Sequence, residues 1–248
     1  ISGADYLIDS KVEKVEGNRV LLKNGDSYSA KVIVDAGGHN GPLRRDYWDE
    51  KSVKIPVKFV LMDGDFGEAV ELHFGSMAPG GYAWMFPKSK GANIGLGIQR
   101  SFAKGRNLNQ YTDEFVSKYD GEISFTGAGS LPMSGTLKKF VKGNYMLVGD
   151  SAGMVLPSNG AGITIAMIGG RIAGQVISEH LASGIPLEEY EKRWKQQMGK
   201  VMRNSKRSFK MGSMLFRLPD WILNLLFNRL TKNIIWRAVT CRRMLWVL

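Results

Sequence analysis

Apolar positions along the chain recur with two periods, which divide it into a strand-rich body and a helical end. Ala4 to Val15, Arg19 to Lys23 and Lys31 to Asp35 read as strands separated by the turn formers Glu16-Gly17-Asn18 and Asn24-Gly25-Asp26, which predicts a meander. Four more strands follow at Ile55 to Met62, Ala69 to Phe74, Tyr82 to Pro87 and Ala92 to Gln99. Asn107 to Tyr119 has its apolar residues Tyr111, Phe115, Val116 and Tyr119 near one face, as an amphipathic helix does. Leu131 to Val141 is expected to return the chain to the first sheet, which the apolar run Tyr145 to Val148 re-enters. Beyond it the period is helical: Ile163 to Leu181 is a helix with the small residues Gly169, Gly170, Ala173 and Gly174, and Leu187 to Arg207 is a charged one.

Three stretches carry candidate chemistry. Gly149-Asp150-Ser151-Ala152-Gly153, with Pro157 to Gly162, lies between a buried strand and the start of a helix. The first N–H groups of a helix have no intrahelical partner and the dipole is positive there, so the site welcomes an anion or an electron-rich ring. Gly160 and Gly162 would let such a group approach the backbone. Asp150 would repel a phosphate and suits a sugar or ribityl hydroxyl instead. The alternative is a glycine-rich loop with Asn159 as an ordinary helix cap, and both readings stand open at this point. Asp35-Ala36-Gly37-Gly38, with Arg44 and Arg45 beyond, ends a buried strand in a turn that could carry a ligand or only change direction. In Ala78-Pro79-Gly80-Gly81-Tyr82-Ala83-Trp84-Met85-Phe86-Pro87, strand periodicity puts Tyr82, Trp84 and Phe86 in one row, either core or the wall of a ligand cavity.

Composition narrows the class. The chain has 248 residues, 44% of them apolar, enough for a substantial core in one large domain or two small ones. One cysteine, Cys241, excludes an internal disulfide framework, and no Cys/His cluster has metal-ligand spacing, so a reducing, cytoplasmic setting is expected. The chain opens on Ile1 with strand-like residues and no leader, which reads as a truncated rather than a processed end. Of the net charge of +11, +10 falls in residues 185–248, which carry 14 Lys and Arg against 4 Asp and Glu. There Arg217, Arg229, Lys232, Arg237, Arg242 and Arg243 alternate with apolar clusters containing Trp221, Ile222, Leu223, Leu225, Leu226, Phe227, Trp236 and Trp246. No run reaches the roughly 18 apolar residues of a spanning helix. The pattern predicts helices at a membrane surface, with a solvated helical subdomain as the alternative; interleaved aliphatics argue against nucleic acid.

Taken together, the three stretches resemble the geranylgeranyl reductase family, within the FAD-dependent group that includes the aromatic hydroxylases. Pro79 to Pro87 followed by Asn93-Ile94-Gly95-Leu96-Gly97 is similar to that family's signature, Gly149 to Gly153 with Pro157, Gly160 and Gly162 to the motif shared by the whole group, and Val34 to Gly38 with Arg44 to its middle motif. The family's first motif, a strand followed by G-x-G-x-x-G, does not occur in the sequence. The resemblance implies a mixed α/β fold: the C-terminal part of a Rossmann-like FAD-binding domain, an inserted antiparallel-sheet substrate domain and a helical C-terminal region. Its divisions would be 1–52 and 141–184 for FAD binding, 53–140 for substrate and 185–248 for the basic helical region. It implies FAD held by Asp35, Gly37, Arg44, Gly149, Asp150, Gly160, Ala161 and Gly162, and substrate by Tyr82, Trp84 and Phe86. The reaction implied is saturation of C=C bonds in a geranylgeranyl chain, on an isoprenoid lipid or a prenyl diphosphate. Electrons would come from NAD(P)H or ferredoxin, and the enzyme would sit peripherally on a membrane. A flavin monooxygenase or halogenase, and a non-catalytic membrane-associated fragment, are the rival readings; no catalytic residue or metal ligand is assigned.

Overall fold

The structure, a computed structural model, describes residues 3–226. It contains two compact units, between which the chain passes more than once. The first takes the residues up to Ser52, Gly135–Val155 and Ala161–Lys200; the second takes Val53–Ser134, Leu156–Gly160 and the described residues from Val201 onward.

The chain begins in the first unit with an antiparallel meander of β1 (Val12–Glu16), β2 (Arg19–Leu22) and β3 (Ser27–Ser29). Its two turns use Gly17 at φ 58° and Gly25 at φ 94°, left-handed conformations that cost glycine little. Strand structure starts at Val12, not at Ala4: residues 4–11 have no ladder partner among the described residues, and Tyr6 and Ile8 are exposed. β4 (Ile33–Asp35) runs into α1 (Pro42–Tyr47), which has proline in its first turn, where a missing N–H costs nothing.

The second unit is built on β5 (Lys54–Asp63), β6 (Glu71–His73), β7 (Tyr82–Lys88), β8 (Gly91–Gly97), α2 (Leu108–Val116) and β9 (Glu122–Pro132). The five strands form one antiparallel sheet in the order β6-β7-β8-β5-β9. On one face, Val60, Met62, Ala83, Met85, Ile94 and Leu96 make a core with Tyr111, Phe115 and Val116 of α2. Asn107 caps α2 through a reciprocal capping box with Gln110. Strand β9 was not expected from the sequence: Ser124 to Ser130 is rich in small residues and glycine, and its long ladder with β5 supplies the order.

The chain is back in the first unit at Gly135, with β10 (Val141–Lys142) and β11 (Tyr145–Leu147). β11 lies parallel to β4, giving a sheet ordered β10-β11-β4, separate from the meander. A 3₁₀ turn, Gly149–Ala152, follows, then α3 (Ile163–Ser183) and α4 (Glu189–Leu215), with α5 (Asp220–Leu226) in the second unit. Tyr190 and Trp194 of α4 are fully buried beside Phe140 and Met154. Of the small residues on α3, Gly169 permits the close approach, since a Cβ there would lie 2.6 Å from Met154 Sδ; Gly174 has nothing within 4 Å. The buried Glu191 carboxylate accepts hydrogen bonds from the backbone amides of Phe140 (2.7 Å) and Val141 (3.1 Å) and pairs with Lys139. Trp236 and Trp246, with the other residues from Phe227 onward, lie outside the described residues.

Candidate functional site

In the first unit, two parallel strands end side by side, with Leu147 of β11 opposite Asp35 of β4, and each runs straight into one of the glycine-containing motifs. Loops at the carboxyl ends of parallel strands are where ligands bind in open α/β sheets. Asp35 is buried, and its carboxylate accepts from Gly37 N (2.7 Å) and Arg44 N (3.1 Å). Ser151, whose hydroxyl lies 3.0 Å from Asp35 Oδ1 and 2.8 Å from the Gly38 carbonyl, ties the second motif to the first. The Arg44 guanidinium is buried and donates to the carbonyls of Trp48 (2.7 Å) and Glu50. Asp35 and Arg44 thus hold the loop in shape with the polar atoms expected to meet a cofactor. Gly37 stays small beside Asp35, whose Oδ1 a Cβ would meet at 3.2 Å.

Asp150 is different. It is half-buried, its carboxylate accepts no hydrogen bond among the described residues, and burial raises its pKa, partly offset by His39. Gly149 adopts φ 65° and Gly153 φ 68°, and a Cβ on Gly153 would strike the Gly135 carbonyl at 2.6 Å. Thr136, next to Gly135, has a buried Oγ1 without a partner among the described residues. The 21-residue α3 starts at Gly162 with no side-chain cap, so Asn159, the alternative cap, does not serve as one. The Asn159 carbonyl instead accepts from Tyr82 OH. A lone carboxylate acceptor, an uncapped helix start and a glycine at that start are the donor and acceptor set that a flavin with its ribityl hydroxyls requires, so the residues fit FAD. Ala161, between Gly160 and Gly162, is exposed.

In the second unit, the sheet face opposite the core carries Tyr82, Trp84 and Phe86 in a row, with ring centroids 5.7 and 5.9 Å apart. Across the ladder Tyr82 pairs with Gly97, Trp84 with Gly95 and Phe86 with Asn93. A Cβ on Gly95 would lie 2.7 Å from Trp84 Cζ2 and 2.5 Å from Phe59 Cβ, so the glycine is what lets the indole lie on the sheet. Trp84 Nε1 donates to Asn93 Oδ1 (2.7 Å), which orients the ring. Tyr82 OH donates to the Asn159 carbonyl (2.6 Å), and burial raises its pKa, so it keeps its proton at neutral pH.

Tyr82 and Trp84 line a narrow apolar cavity of about 70 Å³, a slot for a segment of chain rather than a whole one. Its other walls include Ile55, Val57, Leu131, Gly160, Phe209 and Phe216. Phe86 is not among the lining residues and is more than a third exposed. Gly160 adopts φ 72°, and a Cβ there would lie 3.1 Å from Leu131 Cδ1. Sequence reasoning missed Leu131, Phe209, Phe216 and Phe74, a further wall residue stacked on Phe216 at 6.4 Å. Phe209 and Phe216 are seven positions apart, the spacing of two helical turns, and that was the one available signal for them.

This fold, a mixed α/β framework with an antiparallel sheet, defines a structural class. Solved structures of that class resemble the chain: a geranylgeranyl bacteriochlorophyll reductase-like protein from Thermoplasma acidophilum has a TM-score of 0.72 and 22% identity, covering 98% of this chain and 62% of that one. A flavin-dependent brominase has a TM-score of 0.66 and 16% identity, over 97% and 67% of the two chains. The geranylgeranyl reductase catalytic domain model matches residues 53–128. Digeranylgeranylglycerophospholipid reductase 2 of Methanothermobacter thermautotrophicus is 37% identical over 236 residues, 93% of this chain and 59% of the relative. The digeranylgeranylglycerophospholipid reductase of Methanocaldococcus jannaschii is 38% identical over 198 residues, 69% and 49% of the two lengths. The chain spans about half to three-fifths of the length of these curated relatives.

Proposed function

We propose that this chain forms the substrate-holding and part of the cofactor-holding portion of an FAD-dependent reductase that saturates C=C bonds in geranylgeranyl chains of a lipid. The observation that carries the reading is the slot walled by Tyr82 and Trp84 on the sheet face away from the core, together with the named relatives. FAD, when bound, supplies the hydride that such a reduction needs.

The chain's own residues bind and shield. Asp150 accepts a hydrogen bond from a cofactor hydroxyl, and the uncapped amides at Gly162 and the first turn of α3 stabilise negative charge placed near them. Tyr82 and Trp84 hold a segment of apolar chain away from water, a requirement for reducing an alkene that has no carbonyl to share its charge. Tyr82 acts as wall rather than acid, because its hydroxyl is committed to Asn159 and its pKa is raised.

Among the described residues no helix is long and apolar enough to cross a membrane. Met211, Met214, Leu215, Trp221 and Leu225 are nevertheless exposed, near Lys210 and Arg217, which supports peripheral contact with an anionic membrane surface.

The test is to mix the purified chain with FAD, remove free cofactor, reduce chemically and supply a geranylgeranyl glycerolipid. The expected result is retained flavin absorbance and a lipid product two hydrogens heavier for each double bond reduced. Oxygen consumption tied to a small aromatic substrate, with no hydrogenated lipid, would overturn the reading.

A further inference from the structure

β6 is an edge strand of the five-stranded sheet, and the slot face changes character there. Its ladder pairs Leu72 with Trp84 and His73 with Ala83, so the next step sets Phe74 opposite Tyr82. Alternation along the strand puts Leu72 and Phe74 on the face of the aromatic row, and Glu71 and His73 on the core face. The Phe74 ring lies 6.0 Å from that of Tyr82 and stacks on Phe216 at 6.4 Å and 15°. Next to it is a second cavity, of about 480 Å³, lined by the segment from Leu72 to Met77 and by Asp220, Leu223 and Asn224 of α5. Phe74 is the one residue common to its lining and that of the slot.

The backbone is pinned on both sides of this ring. Before it, the Glu71 carboxylate accepts from Tyr119 OH (2.8 Å) and lies 2.9 Å from His73 Nε2, which ties the edge strand to the core side of the sheet. After it, Ser76 donates through N (3.0 Å) and Oγ (2.5 Å) to Asp220 at the start of α5. Between these anchors Gly75 adopts φ 87°, and a Cβ there would lie 2.5 Å from Asp220 Oδ1, so the turn closes on α5 only with glycine. A ring fixed in this way is a wall, and it stands between a slot of about 70 Å³ and a cavity of about 480 Å³.

We propose that Phe74 is the end stop of the slot, a specificity-determining residue that fixes how long an apolar chain can lie beside Tyr82 and Trp84. The inference rests on the slot's taking an apolar chain. A chain that reaches the ring goes no further, so Phe74 also sets which of its carbons stand against the Trp84 indole. Removing the ring joins the slot to the larger cavity; enlarging it shortens the slot.

The experiment measures, by equilibrium dialysis against the full chain, the affinity of straight-chain primary alcohols from hexanol to hexadecanol, so that only length varies. Affinity should climb about fourfold with each methylene that enters the slot and then level off. In Phe74→Ala the levelling should come about two or more carbons later, and the longest alcohol should bind about tenfold more tightly than it does to the unmodified chain. Phe74→Trp should level off sooner, and it carries the test if circular dichroism shows the alanine variant unfolded. Trp84→Ala should weaken every alcohol and leave the levelling length where it is. An unchanged levelling length in folded Phe74→Ala or in Phe74→Trp, or no levelling in the unmodified chain, would overturn the inference and leave the slot reading intact. Failure of every alcohol to bind would remove the slot reading, and this one with it.

Discussion

On one face of the five-stranded sheet, Val60, Met62, Ala83, Met85, Ile94 and Leu96 close against α2 with almost no exposed area; on the other, the same strands show Ile55, Val57, Tyr82, Trp84 and Gly97 around a slot. The alternation of β8 states the contrast in five residues: Ile94 and Leu96 fill space, whereas Asn93, Gly95 and Gly97 leave it. A core face is built for density, and each side chain there loses water and gains contacts. The slot face is built for vacancy, since glycines under the aromatic row hold its rings against the sheet and leave room above them. One strand can serve both ends because successive side chains point to opposite sides.

The contrast breaks if stability and ligand binding respond alike on the two faces. Phe115→Ala, in the core between α2 and β8, should cost about 3–5 kcal/mol in denaturant unfolding, the usual loss for a buried ring. Gly95→Val places atoms where Phe59 and Trp84 already lie, and should cost about 1–3 kcal/mol while abolishing binding of an apolar probe in the slot. Phe86→Ala, on an exposed ring outside the slot lining, should change stability by less than about 1 kcal/mol and leave probe binding intact.

Asp150 sharpens the comparison from the first unit, where a group is also kept ready rather than packed. Its pKa is raised in the folded chain, so ionised Asp150 opposes folding above that pKa, and the penalty fades as pH falls through it. Asp150→Asn should therefore raise the melting temperature of the flavin-free chain slightly at neutral pH, with the gain vanishing in acid, and should weaken FAD retention in the absorbance assay. A variant that lost stability at neutral pH would show Asp150 to be a structural residue.

Much of the local architecture was legible. Tyr82, Trp84 and Phe86 share a face as strand periodicity required, and the helix after Gly162 starts where the apolar repeat begins. The family signature was readable for the same reason: the Gly-Tyr-x-Trp-x-Phe and Asn-x-Gly-x-Gly patterns are the two sides of one ladder, and their register is encoded residue by residue. Asp35 and Arg44 were candidates to hold a cofactor through the resemblance of Val34 to Gly38 to a family motif; the fold surrounds them with the Gly37 and Arg44 amides, Ser151, and the Trp48 and Glu50 carbonyls, contacts that no short motif records.

The sequence by itself determined which side chains share a face, where turns need glycine, and which family the motifs resemble, because each of these rests on neighbours a few residues apart. Only the tertiary structure decided that a glycine-rich stretch at Glu122–Pro132 is a strand, since its order comes from hydrogen bonds to β5 and not from its own side chains. It also brought Phe74, Leu131, Phe209 and Phe216 to one slot, and Ser76 to Asp220, 144 positions apart. Contacts at such separations are settled by which surfaces exclude water together, and no period within a single segment records that choice.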